Sequence, residues 1–315
     1  MNCIDQTTGE GFVLYHGDCI DVLRGLPDNS IHYSIFSPPF ASLYTYSNSP
    51  RDMGNCRTNE EFFEHFAFLV EELKRVMRPG RNVSFHCMLF PASKERDGFI
   101  GLKDFRGDLI RAFQAQGFIF HAETVIWKDP VTQMQRTKAL GLLHKSVREN
   151  SAMCRMGIPD YLVTMRAPGE QLDRVTHHKD DDSCLYYCEK NNIDYADELL
   201  KVYPVSQWQK VASPVWMDIN PSDTLQYQSA REHDDERHIC PLQLEVIRRG
   251  VELWTNPGDV VLSPFAGIGS EGFVSLQMGR KFVGVELKDS YYKQASQNLA
   301  AAMRTTDDLF SEFAV

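Results

Sequence analysis

The chain has 315 residues, an ordinary apolar fraction of 43% and a formal net charge of −10. That length suits one large α/β domain, or a domain carrying a substantial insertion. The acidity argues against a protein that coats nucleic acid through bulk charge, and no run reaches the ~18 apolar residues of a membrane-spanning helix.

The eight cysteines (Cys3, Cys19, Cys56, Cys87, Cys154, Cys184, Cys188, Cys240) are scattered without a disulfide framework. The amino-terminal stretch lacks a basic region followed by an apolar one, so the expectation is a cytoplasmic protein with no membrane partner.

In chain order, Gly11 to His16 predicts a strand, and Gly17-Asp18 introduces a short helix carrying Ile20, Val22, Leu23 and Leu26. Ser30 to Phe36 predicts a second strand, which runs into Ser37-Pro38-Pro39-Phe40. Two consecutive prolines cannot continue a ladder, so this tetrapeptide is a rigid turn at the carboxyl end of a strand. Open α/β sheets place their ligands at such ends. Residues 41–57 are polar and aromatic without a period, as in a functional loop; Tyr44 and Tyr46 suit its surface as well as a base contact.

Thr58 and Glu61 form a capping-box pair, after which Phe62, Phe63, Phe66, Leu69, Val70, Leu73, Val76 and Met77 share one helical face as far as Pro79-Gly80. Asn82 to Cys87 predicts a strand and Phe105 to Gln116 a helix. Phe118 to Trp127 and Asp160 to Arg166 predict two strands that can pair as an antiparallel edge, joined by a basic segment. Between Lys128 and Arg166 stand seven Lys/Arg against three acids. Within that local surplus, Lys128, Arg136, Lys138, Lys145, Arg148 and Arg155 are candidates for phosphate contact.

Residues 167–235 lose the rhythm, apart from an amphipathic piece near Ala196 to Val211. His177, His178, Cys184 and Cys188 lie within twelve residues, but C-x3-C is not a zinc-ligand spacing, and a polar loop is expected there without a metal. Trp208 and Trp216 are read as core. Regularity returns with a helix over Pro241 to Trp254, a turn at Asn256-Pro257-Gly258, a strand ending at Glu286 and a last helix from about Ser290 to Met303. The tail to Val315 should be loosely held.

Two motifs carry chemistry. In Val260 to Gly272 a short β-branched run meets Gly267, Gly269 and Gly272 and then a helical segment, with Glu286 nineteen residues beyond Gly267. Strand, glycine turn and helix start let backbone approach a ligand, and a following acid can accept from ribose hydroxyls. In Ser37 to Phe40, a hydroxyl and the Pro38 carbonyl can each accept a hydrogen bond from an exocyclic NH2 while Phe40 stacks on its ring. Two acceptors favour a pyramidal nitrogen and free its lone pair for attack.

With these blocks, and with Gly17-Asp18, His238 to Gln243, Asn256 to Gly258 and Gly284 to Glu286 in the same order, the chain resembles the DNA amino-methyltransferases that use S-adenosylmethionine. The resemblance is to the group in which the SPPF-type block precedes the glycine block; several modification enzymes of phage and prophage origin look similar. It implies an α/β fold with a Rossmann-like methyltransferase sheet, mostly parallel with an antiparallel edge and helices on both faces. Pro264, Phe265, Ala266, Gly267 and Gly269 would wrap the cofactor, and Ser270 would bind its methionine carboxylate. Glu286 would take its ribose and Asp18 its adenine, with Cys240 and Pro241 beside the methionine end. Ser37, Pro38, Pro39 and Phe40 would hold a base flipped from the duplex. The family's glycine block commonly begins with Asp, where this chain has Ser263, and Glu271 replaces a threonine-like residue.

The expected organisation is a catalytic domain from residues 1–128 and 236–315, with 129–235 inserted as a DNA target-recognition region. The expected partners are double-stranded DNA and a second copy of the chain, with a restriction partner left open. Ser at the first motif position resembles the cytosine-N4 branch more than the adenine-N6 branch. A nicotinamide-dependent oxidoreductase would leave Ser37 to Phe40 unexplained, and Cys240-Pro241 has the wrong order for a cytosine-C5 nucleophile. A non-catalytic DNA-binding module would not need two ligand turns in one sheet. RNA or a protein amide offers the same kind of nitrogen and stays open as a substrate.

Overall fold

Strands β1 (Asp5–Gly9), β2 (Phe12–His16), β3 (Ile31–Phe36), β4 (Met77–Met88), β7 (Ile119–Ile126), β8 (Asp160–Arg166), β9 (Val215–Trp216), β10 (Val260–Ser263) and β11 (Lys281–Glu286) form one sheet in the order β1-β2-β11-β10-β3-β4-β8-β7-β9. A small hairpin of β5 (Phe90–Ala92) and β6 (Gly101–Lys103) stands apart. The computed structural model describes residues 2–39, 52–56, 58–92, 94–137, 144–177, 205–226 and 241–311.

From β2 to β4 every pairing is parallel, whereas β8 runs antiparallel to both β4 and β7. Central strands buried on both sides must be apolar on both sides. Phe36, Val83, Phe85 and Leu262 meet one layer, formed by α1 (Cys19–Arg24), α2 (Asn59–Val76) and α4 (Phe105–Ala115). Tyr33, Ile35, Leu162 and Val261 meet the other, formed by α8 (Leu244–Trp254), α9 (Ser270–Gln277) and α10 (Asp289–Ser311). The expected α/β sheet with helices on both faces is what forms.

Helix α2 follows its sequence closely. The Thr58 hydroxyl accepts from the Glu61 N–H at 3.1 Å, and Phe62, Phe66, Leu69, Val70, Leu73 and Val76 are all fully buried. Each such side chain contributes roughly 1.5–3 kcal/mol over an exposed one. The helix ends at Val76 and the chain passes directly into β4, so Pro79 and Gly80 lie within a long strand, with Gly80 at φ 73°. At the amino-terminal end of β3, β4 and β10, the buried Arg81 guanidinium pairs with Asp259 and donates to the His32 carbonyl at 2.9 Å. Asp259 also accepts from the Asn256 N–H at 2.9 Å, which fixes the turn before β10.

The antiparallel pair expected at residues 118–127 and 160–166 is β7 and β8, but β8 lies inside the sheet, between β4 and β7. A boundary at 129–235 therefore passes through the sheet. From that region the described helices are α5 (Pro130–Thr137), α6 (His144–Asn150) and α7 (Val205–Ala212); the hairpin side holds the short α3 (Lys94–Asp97). Trp216 is buried at 3% exposure as expected, whereas Trp208 is 55% exposed and does not join the core. Among the described residues no helix is long and apolar enough to cross a membrane.

Candidate active site

The glycine turn joins β10 to α9 at the carboxyl edge of the sheet. Gly267 and Gly269 adopt φ 54° and 87°, a left-handed backbone that side chains disfavour. Gly272 serves packing instead, since a Cβ there would stand 2.5 Å from Leu299 and Phe282. A Cβ on Gly267 would meet nothing within 4 Å, so that face of the turn is open. The Ala266 N–H donates to the Val285 carbonyl at 2.8 Å, and the Gly267 N–H donates to Glu286 Oε2 at 2.8 Å.

Glu286 closes the turn from the neighbouring strand. Its other oxygen, Oε1, accepts from the Lys288 N–H at 2.8 Å. Each oxygen keeps a second lone pair for a further donor. Burial pushes this carboxyl up to about 7, against the lowering effect of the Lys288, Gly267 and Leu287 N–H groups. Ser263 Oγ and Ser270 Oγ, at either end of the turn, are buried with no hydrogen-bond partner among the described residues. Two orphaned hydroxyls, an acceptor pair and a helix start around an open glycine fit a ligand with hydroxyl donors and an anionic group.

Asp18 caps α1, its Oδ1 accepting from the Ile20 and Asp21 N–H groups at 2.9 and 3.1 Å. It also lines a cleft of about 340 Å³ with Met53, His65 and Phe68, and the Gly17 N–H ties this loop to the Glu286 carbonyl at 3.0 Å. Asp18 thus stands beside the glycine turn, with its cap role added. Pro241 precedes α8 and is half-buried; Cys240 lies outside the described residues.

Ser37-Pro38-Pro39 leaves the carboxyl end of β3, the strand next to β10, with both prolines buried. Phe36 packs on Phe265 of the glycine turn, ring centres 5.7 Å apart. Phe40 lies outside the described residues. The Ser37 hydroxyl is 3.2 Å from His86 Nδ1, His86 Nε2 is 3.1 Å from Asp160 Oδ2, and Lys128 Nζ is 2.6 Å from Asp160 Oδ1. Burial works against the ionised form of Asp160, but His86 and Lys128 more than offset it and hold the carboxyl below its usual range.

Lys128, expected at a phosphate, is thus paired inward. Lys145 and Arg148 are exposed on α6, Lys145 pairing with Glu149 at 3.4 Å. Arg155 is half-buried, and burial pushes its guanidinium pKa down. Arg136 sits on α5, and Lys138 is outside the described residues, as are Tyr44, Tyr46, His178, Cys184 and Cys188.

Residues 31–297 match the family model for N6/N4 methyltransferases, described as DNA methylase. The chain belongs to this DNA methylase family. YhdJ of Escherichia coli (strain K12), a DNA adenine methyltransferase, is 34% identical over 93% of this chain and 84% of its own length. A DNA modification methylase of Thermus thermophilus, TTHA0409, crystallised with S-adenosyl-L-methionine, superposes with a TM-score of 0.61 at 20% identity, covering 92% of this chain and 95% of that one. The PvuII cytosine-N4-specific DNA methyltransferase gives 0.60 at 16% identity, covering 97% and 94%.

The methylase uses S-adenosylmethionine to methylate an exocyclic amino group of DNA, N6 of adenine or N4 of cytosine. When bound, that cofactor supplies an electrophilic methyl group on a sulfonium. The protein's own task is then to place the amine, exclude water and dispose of a proton.

Nothing in the linear sequence marks His86, Asp160 or the inward role of Lys128. The signal was the position of each at a strand end on the same edge of the sheet, which needs the strand order to be seen.

Glu271 replaces a threonine-like residue of the family in the first turn of α9 and is only 4% exposed. Burial, aided by Glu286, pushes its carboxyl from 4.5 up to about 8, so it is protonated at neutral pH. A folded pKa raised above the unfolded value gives stability that is complete below about pH 4.5 and is lost as pH rises through about 8. At 1.36 kcal/mol per unit the loss is on the order of a few kcal/mol. Glu271→Gln should remove it, raising the urea midpoint at pH 8.5 while leaving that at pH 4.5 nearly unchanged. Equal pH dependence in both proteins would refute this assignment.

Proposed function

We propose that this methylase modifies one base in a short duplex sequence, flipped into the Ser37-Pro38-Pro39-Phe40 turn, and that the target atom is N4 of cytosine. The observation that carries the reading is the adjacency of the two turns. They leave the carboxyl ends of neighbouring parallel strands, joined through Phe36 and Phe265. Strands ~4.8 Å apart bring an amine held by one turn within reach of a methyl group held by the other. Ser37 and the Pro38 carbonyl accept the two N–H groups, and Phe40 stacks on the ring.

On the cofactor side, Pro264, Phe265, Ala266, Gly267 and Gly269 wrap the ligand, Ser270 takes the methionine carboxylate at the start of α9, and Glu286 takes the ribose. Asp18 contributes to the adenine side through its second oxygen, and Cys240-Pro241 passes the methionine end. The uncharged Ser37 favours cytosine; adenine N6 is the second reading, favoured by the 34% identity to a DNA adenine methyltransferase. The SPPF-before-glycine order suits the phage and prophage modification enzymes, a dimer, and activity with or without a restriction partner in the cytoplasm.

The recognition region lies within 129–235 outside the sheet strands β8 and β9, where Arg136, Lys138, Lys145, Arg148 and Arg155 supply phosphate contacts. Each phosphate contact adds about 0.9 to the slope of log K against log salt. Lys145→Ala with Arg148→Ala should lower the slope for duplex binding by about 1–2 units, with cofactor binding unaltered. An unchanged slope would remove α6 from the interface.

The deciding experiment is methyl transfer from labelled S-adenosylmethionine to unmodified duplex DNA, followed by nucleoside mass spectrometry. N4-methylcytosine is expected. N6-methyladenine would establish the second reading, and absence of label in DNA with label in RNA or protein would overturn both.

A further inference from the structure

Four neighbouring strands, β3, β4, β8 and β7, deliver one polar side chain each to the same edge of the sheet. Ser37 follows β3, His86 is near the end of β4, Asp160 opens β8 and Lys128 follows β7. The antiparallel course of β8 makes this possible: its first residue lies opposite Met88 of β4 and Ile126 of β7. The contacts run Ser37 Oγ to His86 Nδ1 at 3.2 Å, His86 Nε2 to Asp160 Oδ2 at 3.1 Å and Asp160 Oδ1 to Lys128 Nζ at 2.6 Å. Asp160 is 3% exposed, and a buried carboxylate needs such partners.

A direct methyl transfer to an amine leaves a proton to be removed. We propose that His86 takes it, through the Ser37 hydroxyl, and that Asp160 and Lys128 set the orientation and charge of His86. The inference rests on the amine site assigned to Ser37 above. As the N–C bond forms and the sulfonium C–S bond breaks, the nitrogen becomes cationic. Its N–H proton passes to Ser37 Oγ while the Ser37 proton passes to His86 Nδ1. The products are a neutral methylamino group, a neutral thioether and an imidazolium facing Asp160, which then releases its proton to water.

For this the Nδ1 of His86 must be the acceptor, so the ring proton must sit on Nε2, which lies at ion-pair distance from Asp160 Oδ2, 3.1 Å, outside hydrogen-bond geometry. Lys128 compensates Asp160, so the imidazolium is not trapped by an unbalanced carboxylate. Ser37 touches the amine and is the catalytic residue; His86, Asp160 and Lys128 act through it as positioning residues.

Other charged or titratable groups around β4 are engaged elsewhere. On the same face, Arg249 of α8 pairs with Asp218 and Glu245, burial keeps Tyr33 protonated, and His121 lies against Trp254 at the other end of β7. On the opposite face Arg106 pairs with Glu123, and at the far end of β4 Arg81 pairs with Asp259.

The test is single-turnover methyl transfer to duplex DNA between about pH 5 and 8.5, with cofactor affinity measured separately. A reaction in which a base takes the amine proton should slow as pH falls, so the wild-type rate should show an acidic limb. His86→Gln can still bond the Ser37 hydroxyl without accepting a proton. Its rate should drop about 10²-fold and lose the acidic limb, with cofactor affinity unchanged. Lys128→Met should move the limb to higher pH and Asp160→Asn to lower pH.

A wild-type limb retained in His86→Gln, or a limb unmoved in Lys128→Met, would overturn the relay. If His86→Gln does not fold, the direction of the Lys128→Met shift decides. A wild-type enzyme that methylates no DNA at any pH would instead overturn the reading of the site itself.

Discussion

Ser37→Ala should lower single-turnover methyl transfer about 10²-fold while S-adenosylmethionine binds as before. The hydroxyl stands at the end of β3, one strand away from the glycine turn, and contacts His86 rather than any group that would hold the cofactor. Its loss removes one of two acceptors on the amine and the link to His86. The nitrogen lone pair then stays delocalised into the ring, and the barrier rises in the transition state rather than in the ground state. The loss should therefore fall in kcat, with little change in KM for DNA. Ser37→Thr, which keeps the hydroxyl, should recover a substantial part of the rate. The measurement is rapid-quench single turnover alongside calorimetric titration of cofactor. Equal losses in the Thr and Ala variants would mean that packing in the buried Pro38-Pro39 turn, not the hydroxyl, is what Ser37 supplies.

Much of this architecture was legible in the chain because its central strands obey local rules. The apolar run before the glycines, the prolines after Phe36 and the Thr58 cap each specify a local geometry that the fold keeps. The first strand, β1, was not legible: DQTTG has no apolar alternation, and as an edge strand it needs none. The helix expected from Pro241 begins at Leu244, and the last helix runs on to Ser311 rather than stopping near Met303.

The site divides in the same way. Gly267, Gly269, Glu286 and Ser37 announce themselves through spacing within single turns. His86, Asp160 and Lys128 are separated by up to 74 residues and meet only because β8 enters the sheet between β4 and β7. Lys128 looked like a surface cation because local charge counting cannot see a buried carboxylate 32 residues away. Trp208 misled for a simpler reason, since aromatic character alone does not say which face of a helix meets the core.

Glu286→Ala should weaken cofactor binding on the order of 10²-fold, because hydrogen bonds to an ionised carboxylate contribute about 1.5–3 kcal/mol each. The same change leaves the Gly267 and Lys288 N–H groups without their acceptor and loosens the turn itself. The pH dependence separates these effects. Burial places the carboxyl at about 7, so near neutrality it is only partly ionised, and the ionised form is the one that accepts from two ribose hydroxyls. Affinity for S-adenosylmethionine in the wild type should therefore rise with pH through about 7 and level off above it. Glu286→Gln keeps one acceptor oxygen and has no proton to lose, so it should bind weakly with a flat profile across the same range. Calorimetric titrations at pH 6, 7 and 8 on the three proteins check this. A Glu286→Gln profile as steep as the wild type's would assign the titration to Glu271 in α9, and undiminished affinity in Glu286→Ala would remove Glu286 from the cofactor site.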